Sequence, residues 1–221
     1  MKMRSFLVLI HTVTPLIAVF DRLATELLPG VAIKHILDEP LLERVSQRGS
    51  LAESDAGRLQ THIAEAEAIG AGAVLITCST ISPLVDSARQ ATQLPVFKVD
   101  EAMLEAAVQL GPRIGILATN PTTIEPTCQL LRERAFAAGK LIDTETQLVS
   151  GALDALLGGD GSTHDRLLSD AIQQMCGRVD VVVLAQASMA RVLERLPASA
   201  QSKPVLSSPH LALERLQIIF R

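Results

Sequence analysis

Tryptophan and tyrosine are absent from this chain, and phenylalanine occurs only five times in 221 residues. Aromatic platforms for stacking bases are therefore scarce. Excess positive charge is missing too: 20 Lys and Arg stand against 24 Asp and Glu, for a net charge of −4. Nothing here builds the basic stripe that a phosphate backbone requires, so no nucleic-acid partner is expected. Cysteine is sparse. Cys78, Cys128 and Cys176 are odd in number and lack CxxC spacing, which points to neither a disulfide framework nor a zinc site. Free thiols suit a reducing compartment, so a cytoplasmic location is expected. Long hydrophobic runs are also lacking. None approaches the ~20 apolar residues of a membrane span, and no membrane partner is expected. Lys2 and Arg4 before the apolar residues 6–10 imitate a secretory leader. The run is short, however, is interrupted by His11, Thr12, Thr14 and Pro15, and is followed by no small-residue cleavage site. A first buried strand is the expected structure there.

What the chain does have is apolar content, 48% of residues, arranged in an alternating rhythm. Short β-branched runs at 5–10, 31–37, 73–77, 95–99, 113–118, 141–146, 180–185 and 204–207 predict strands. Most are apolar throughout, as strands covered on both faces should be. Helical spacing separates them. In residues 54–70, Leu59, Ile63, Ala66 and Ile69 recur three and four apart, with Ser54 as candidate cap and Gly70 and Gly72 as candidate stops. Further helices are predicted near 83–91, 100–110, 122–138, 163–177, 188–195 and 209–220. Such a βαβα order implies an α/β fold with mainly parallel sheets.

The order also repeats. "AVLITCSTISPLVD" (73–86) resembles "VVVLAQASMARVLE" (181–194), which sets Cys78 against Gln186 and Thr80 against Ser188. "LVLIHTVTP" resembles "RIGILATNP", with Thr12 near Thr119. "AIKHILDE" matches "GKLIDTET" more loosely, with Asp38 near Asp143, and Pro95 falls near Pro204. Four pairs in one order at nearly constant separation indicate duplication into two pseudo-symmetric subdomains. Their expected bounds are 1–98 with 206–221, carrying Cys78, and 99–205, carrying Gln186.

Ligands of open parallel sheets bind beyond the carboxyl ends of strands. Those ends carry His11 and Thr12; Cys78, Ser79 and Thr80; Thr119, Asn120, Thr122 and Thr123; and Gln186 with Ser188. If the two halves face each other there, these residues line one cleft. Neutral hydroxyls and N–H groups with little fixed positive charge suit a small acid or an enediolate oxygen rather than a polyphosphate. Cys78, at a strand end before a helix, is placed either as a reactive thiol or as a small buried hydrophobe.

The paired strand–Cys–hydroxyl segments, the "HTVTP" start and the "ILATNPTT" centre resemble the aspartate/glutamate/hydantoin racemase superfamily over nearly the whole chain. That resemblance implies two pseudo-symmetric α/β domains, no cofactor, and a small carboxylic acid or hydantoin substrate held between the halves. It also implies proton transfer by one thiol from each half. Carried onto this sequence, Cys78 is the first-half thiol, with Ser79 and Thr80 the donors after it. Thr119, Thr122 and Thr123 are the second-half donors for a carboxylate. Where the second thiol belongs, this chain has Gln186, and an amide transfers no proton at a useful pKa. The implied activity is a racemase or isomerase. A single-cysteine cis–trans isomerase or decarboxylase, and an inactive acid-binding protein, stand as alternatives. Thr12, Ser188 and Gln186 are expected to contact substrate, with His11 a further candidate, and a homo-oligomer is compatible with the fold. Cys128 and Cys176 are expected in cores. His35 is expected to be structural, His62 on a helix surface or helix–sheet contact, and His164 in a first helical turn capped by Ser162 or Thr163. Asp38, Glu39, Asp100, Asp143 and Glu145 are expected as loop or cap residues.

Overall fold

The computed structural model describes residues 6–193, 195–196 and 202–220. The chain divides into two compact units, residues 1–99 with 209–221, and residues 100–208.

The first unit contains β1 (Leu7–His11), α1 (Leu16–Leu27), β2 (Ile33–Leu37), α2 (Glu39–Arg48), α3 (Glu53–Ala68), β3 (Ala73–Ile76), α4 (Leu84–Gln90) and β4 (Val96–Lys98). All four strands run parallel in the order β2-β1-β3-β4. β1 and β3 are buried along their whole length, which explains their unbroken apolar sequence. Alternation then sorts each strand to two faces. Val8, Ile10, Val74 and Ile76 pack with Leu41 and Val45 of α2, Leu59, Ile63 and Ala66 of α3, and Val85 and Ala88 of α4. 

Two helices that the sequence rhythm did not single out lie here. α1 buries Leu16, Phe20 and Ala24, a clean four-residue spacing. α2 is capped by Asp38, whose carboxylate accepts from Leu41 N at 3.1 Å, with Pro40 in its first turn and Gly49 at φ 75° beyond its end. Ser54 is not the cap of α3. Ala52 holds that position, and Asp55 reaches back to accept the Ala52 N–H at 2.9 Å while pairing with Arg48. Gly70 stops α3 with φ 83°, and Ala71 N closes onto Ala66 O at 3.0 Å. Gly72 instead already donates to Phe6 O as the lead-in to β3.

The second unit contains α5 (Glu101–Leu110), β5 (Arg113–Ala118), α6 (Ile124–Ala137), β6 (Asp143–Leu148), α7 (Ala152–Leu157), α8 (Gly161–Cys176), β7 (Val181–Leu184), α9 (Ala190–Leu193) and β8 (Val205–Ser207). Its parallel sheet has the order β6-β5-β7-β8, the first unit's order repeated. Leu117, Val182 and Leu184 pack with Leu168, Ala171, Ile172 and Met175 of α8, Ala152 of α7 and Val192 of α9. Asp160, not Ser162 or Thr163, caps α8: it accepts from Thr163 N at 3.0 Å and Ser162 Oγ at 2.7 Å, and these donors hold its pKa at about 2. The last helix, α10 (Ser208–Phe220), meets the first unit where Gln217 Nε2 donates to Leu27 O at 2.8 Å.

Hydrogen-bond register tests the repeat residue by residue. Thr77 N donates to Ile10 O, and Ala185 N donates to Leu117 O. Val74 N donates to Pro95 O, and Val182 N to Pro204 O. Thr77 is thus equivalent to Ala185 and Cys78 to Gln186, as the sequences indicate. The looser match fails. Asp38 N donates to His11 O as Val149 N donates to Ala118 O, so Asp38 corresponds to Val149. Asp143 opens β6 beside Arg113 instead. Strand β6 is more exposed and polar than β2, and without an apolar pattern the sequence match slipped.

Candidate active site

Three strand ends share one local design. Cys78, Asn120 and Gln186 are each extended (φ −121°, −119° and −128°) and each enters a single 3₁₀ turn, at Ser79–Ile81, Pro121–Thr123 and Ala187–Met189. The extended residue ends the strand, and the turn redirects the chain into the following helix. Side chains at these positions therefore gather at the carboxyl edge of their sheet.

In the first unit that edge carries Cys78, half-buried, whereas Cys128 in α6 and Cys176 in α8 are buried. Burial raises the Cys78 pKa above the ordinary thiol value. The Thr12 hydroxyl, the N–H groups of Ile81 and Thr80, and the Thr80 hydroxyl partly oppose that rise. All four are donors, so they favour sulfur as it gains negative charge. Thr12 Oγ1 is close enough to the sulfur to act on it, yet it has no well-formed hydrogen bond. Ser79 Oγ, in the next residue, is also buried without a partner. A buried hydroxyl left unpaired costs stability unless something outside the chain satisfies it. Two such hydroxyls beside a thiol form a donor set waiting for an acceptor.

His11 does not belong to this edge. It is fully buried, and both ring nitrogens are engaged. Nδ1 lies 2.9 Å from Thr77 Oγ1, and Nε2 lies 2.9 Å from His35 Nδ1; His35 Nε2 lies 2.9 Å from Asp21 Oδ1. Thr77 Oγ1 also donates to Ile10 O at 3.0 Å, so it ties the His11 ring to the β1 backbone as well. Burial, then the neighbouring His35, lower the His11 pKa from 6.5 to about 4. The expectation that His11 faces substrate is therefore corrected: its nitrogens are spent on a chain leading to half-exposed Asp21. His35 links His11 to Asp21. His62, on α3, bonds Asp38 at 2.8 Å. His164 is buried in α8 beside Asp165.

In the second unit the edge is organised around Gln186. Its Oε1 accepts from Thr119 N at 2.6 Å, Thr119 Oγ1 at 3.1 Å and Asn120 N at 3.1 Å. The pairing of Thr119 with Gln186 mirrors that of Thr12 with Cys78. Thr122 is spent as well: its N–H and hydroxyl both bond Asn120 Oδ1, at 3.1 and 2.8 Å. Thr123 is buried within the turn, and Ser188 is half-buried beyond Gln186. Thr12, Cys78, Ser79 and Thr80 thus come together in the first unit, and Thr119, Thr122, Thr123, Gln186 and Ser188 gather along one edge in the second. Sequence reasoning overlooked Asn120 as an organiser, although Asn followed by Pro is a turn-initiating signature. The N–H of Ile81 carries no sequence signal at all. Among the described residues, no group of three or more His, Cys, Asp or Glu could hold a metal ion, and no helix is long and apolar enough to cross a membrane.

Comparison with known proteins agrees with this architecture. An allantoin racemase from Klebsiella pneumoniae superposes with TM-score 0.72 at 18% identity, over 97% of this chain and 87% of that one. A Francisella tularensis glutamate racemase in complex with D-glutamate gives 0.71 at 14% identity, covering 98% and 81%. PH1733, an aspartate racemase homologue from Pyrococcus horikoshii, gives 0.71 at 13%, covering 99% and 100%. At these identities the likeness is one of fold. In sequence, the uncharacterized protein C576.02 of Schizosaccharomyces pombe is 27% identical over 152 residues, 66% of this chain. That match takes in 63% of the yeast protein's length, less than two thirds. The Asp/Glu/Hydantoin racemase family model matches residues 12–216, spanning both units and every strand end described above. The chain belongs to the Asp/Glu/hydantoin racemase family.

Proposed function

We propose that the protein is a cofactor-independent isomerase of racemase type, in which Cys78 Sγ exchanges a proton with the acidic carbon of a small carboxylic acid or hydantoin. The observation that carries this reading is the Cys78 environment: the one cysteine of three that is not buried, with donor groups of Thr12, Thr80 and Ile81 around its sulfur and the buried Ser79 hydroxyl beside it without a partner. A raised thiol pKa means the resting sulfur holds its proton near neutral pH. The donors lower the cost of the thiolate once the proton leaves. Thr12 Oγ1 and Ser79 Oγ are suited to the substrate's acid or carbonyl oxygen, where charge grows as the carbon loses its proton and an enediolate forms. Thr80 supports the sulfur. In the second unit, Gln186 Nε2, Ser188 and Thr123 are proposed as substrate contacts. Gln186 supplies hydrogen bonds only, because an amide has no exchangeable proton at a working pKa. The chemistry therefore falls on one thiol.

Incubation in D₂O with a panel of amino acids, hydantoins, malonates and maleate, followed by proton NMR, tests the proposal. Loss of the α-proton signal as deuterium enters, together with inversion at that carbon read by chiral analysis, is the expected result. Release of CO₂, or conversion of maleate, would replace the racemase reading with decarboxylation or single-thiol cis–trans isomerisation. Raised melting temperatures with no turnover of any compound would make the protein an acid-binding module instead.

A further inference from the structure

The donors around Gln186 Oε1 outnumber what an amide oxygen ordinarily takes. A carbonyl oxygen has two lone pairs, and here three hydrogens converge on it, from Thr119 N, Thr119 Oγ1 and Asn120 N. Two of the three are successive backbone N–H groups that converge on one oxygen. They belong to the end of β5, ahead of the 3₁₀ turn at Pro121–Thr123. Thr119 and Asn120 are buried, so the donors are screened from bulk water. The geometry is that of an oxyanion site, with a neutral amide in the place of the anion.

Backbone N–H groups only donate, so the face of the amide turned toward them is the oxygen. The amino group Nε2 is then left pointing away, and among the described residues none accepts from it. In the first unit the equivalent residue is Cys78. Its shorter side chain ends near Thr12 Oγ1, and that hydroxyl remains without a well-formed bond.

We infer that Thr119 N, Thr119 Oγ1 and Asn120 N form a latent carboxylate-binding site that Gln186 fills as an internal ligand. The side chain closes the site to external oxyanions and converts three inward donors into one outward amino group. Replacing a thiol with glutamine at this position thus removes a free acid site from the second unit, as well as a proton carrier.

The test is acetate binding followed through the backbone amide resonances of Thr119 and Asn120 in ¹⁵N-labelled full-length protein. Wild type is expected to show no saturable shift at these two amides. Gln186→Ala is expected to show saturable shifts, with acetate bound at least ~10-fold more tightly than by wild type. Equal binding by the two proteins, or a well-dispersed Gln186→Ala spectrum with no acetate response, overturns the inference. Gln186→Glu provides an arm that does not depend on opening the site. The three donors should hold the introduced carboxyl below the usual glutamate pKa of about 4.3, and acetate should leave both amides unmoved. A carboxyl titrating at or above that value overturns the inference as well. No arm requires turnover, so failure here is distinguishable from failure of the proposed thiol chemistry.

Discussion

The buried chain from Thr77 through His11 and His35 to Asp21 makes stability depend on pH in a defined window. His11 stays neutral over most of the pH range because burial, and then the neighbouring His35, disfavour its charged form. Its pKa falls from 6.5 to about 4 in the folded protein, a drop of about 2.5 pH units. Between those values the unfolded chain binds a proton at His11 that the folded chain refuses. Stability from this group is therefore full above pH 6.5, declines as pH falls, and is gone by about pH 4. At about 1.4 kcal/mol per pH unit, the loss across the window is about 3 kcal/mol. Carboxylates with lowered pKa values, Asp38, Asp160, Asp165 and Asp180, lose their contribution only below about 3.8, so the two effects separate. Urea unfolding at a series of pH values reads the loss directly. The chain has no Trp or Tyr, so the transition is followed by far-UV circular dichroism. Gln in place of His11 supplies the control: whatever its absolute stability, the pH 6.5 to 4 slope should flatten by about one proton. A wild-type loss below about 1 kcal/mol over the window, or an unchanged slope in His11→Gln, would refute the assignment.

Further outcomes follow from other residues. A thiol-alkylating reagent should label Cys78 before the buried Cys128 and Cys176, at a rate that climbs with pH past the ordinary thiol value, as peptide mapping by mass spectrometry would show. A Cβ added at Gly115 would lie 2.5 Å from Met175 Cγ and 3.2 Å from Val179 Cγ2. Gly115→Ala should therefore cost about 1–3 kcal/mol in urea unfolding, with Met175→Ala recovering part of it in the double variant. Asp38→Ala removes the α2 cap and strands Arg58 and His62 without their shared carboxylate. It should lower stability by at least about 1 kcal/mol, and Asp38→Asn, which keeps a cap acceptor, should lower it less.

The strands were legible in sequence because β1, β3 and β7 are buried on both faces, so their composition is apolar and β-branched without interruption. Helices α1 and α2 carried signals of their own, the Leu16–Phe20–Ala24 spacing and the Asp38 cap before Pro40. Their neighbours were stronger, and these two were not singled out. The pairing of Cys78 with Gln186 was legible because both follow fully buried strands whose register the repeat preserves. The pairing of Asp38 with Asp143 was misread because β6 is polar and exposed, with no apolar pattern to pin the alignment. Side-chain partnerships had no linear signature. Gln186 reaches Thr119 across neighbouring strands, and His11 meets His35 only because β1 and β2 lie in register Leu9 to His35. Thr119 and Thr122 follow β5, and their hydrogens are committed within the unit, to Gln186 and Asn120.

Cys78 is the working thiol of the proposed reaction. The most direct measurement is α-deuterium incorporation in D₂O by wild type and by Cys78→Ala, with the substrate that wild type exchanges fastest, in protein shown by circular dichroism to be folded. Removal of a group that takes and returns a proton should lower the rate by at least ~10²-fold, in line with the usual contribution of general acid–base catalysis. A folded Cys78→Ala protein exchanging at the wild-type rate would contradict the account.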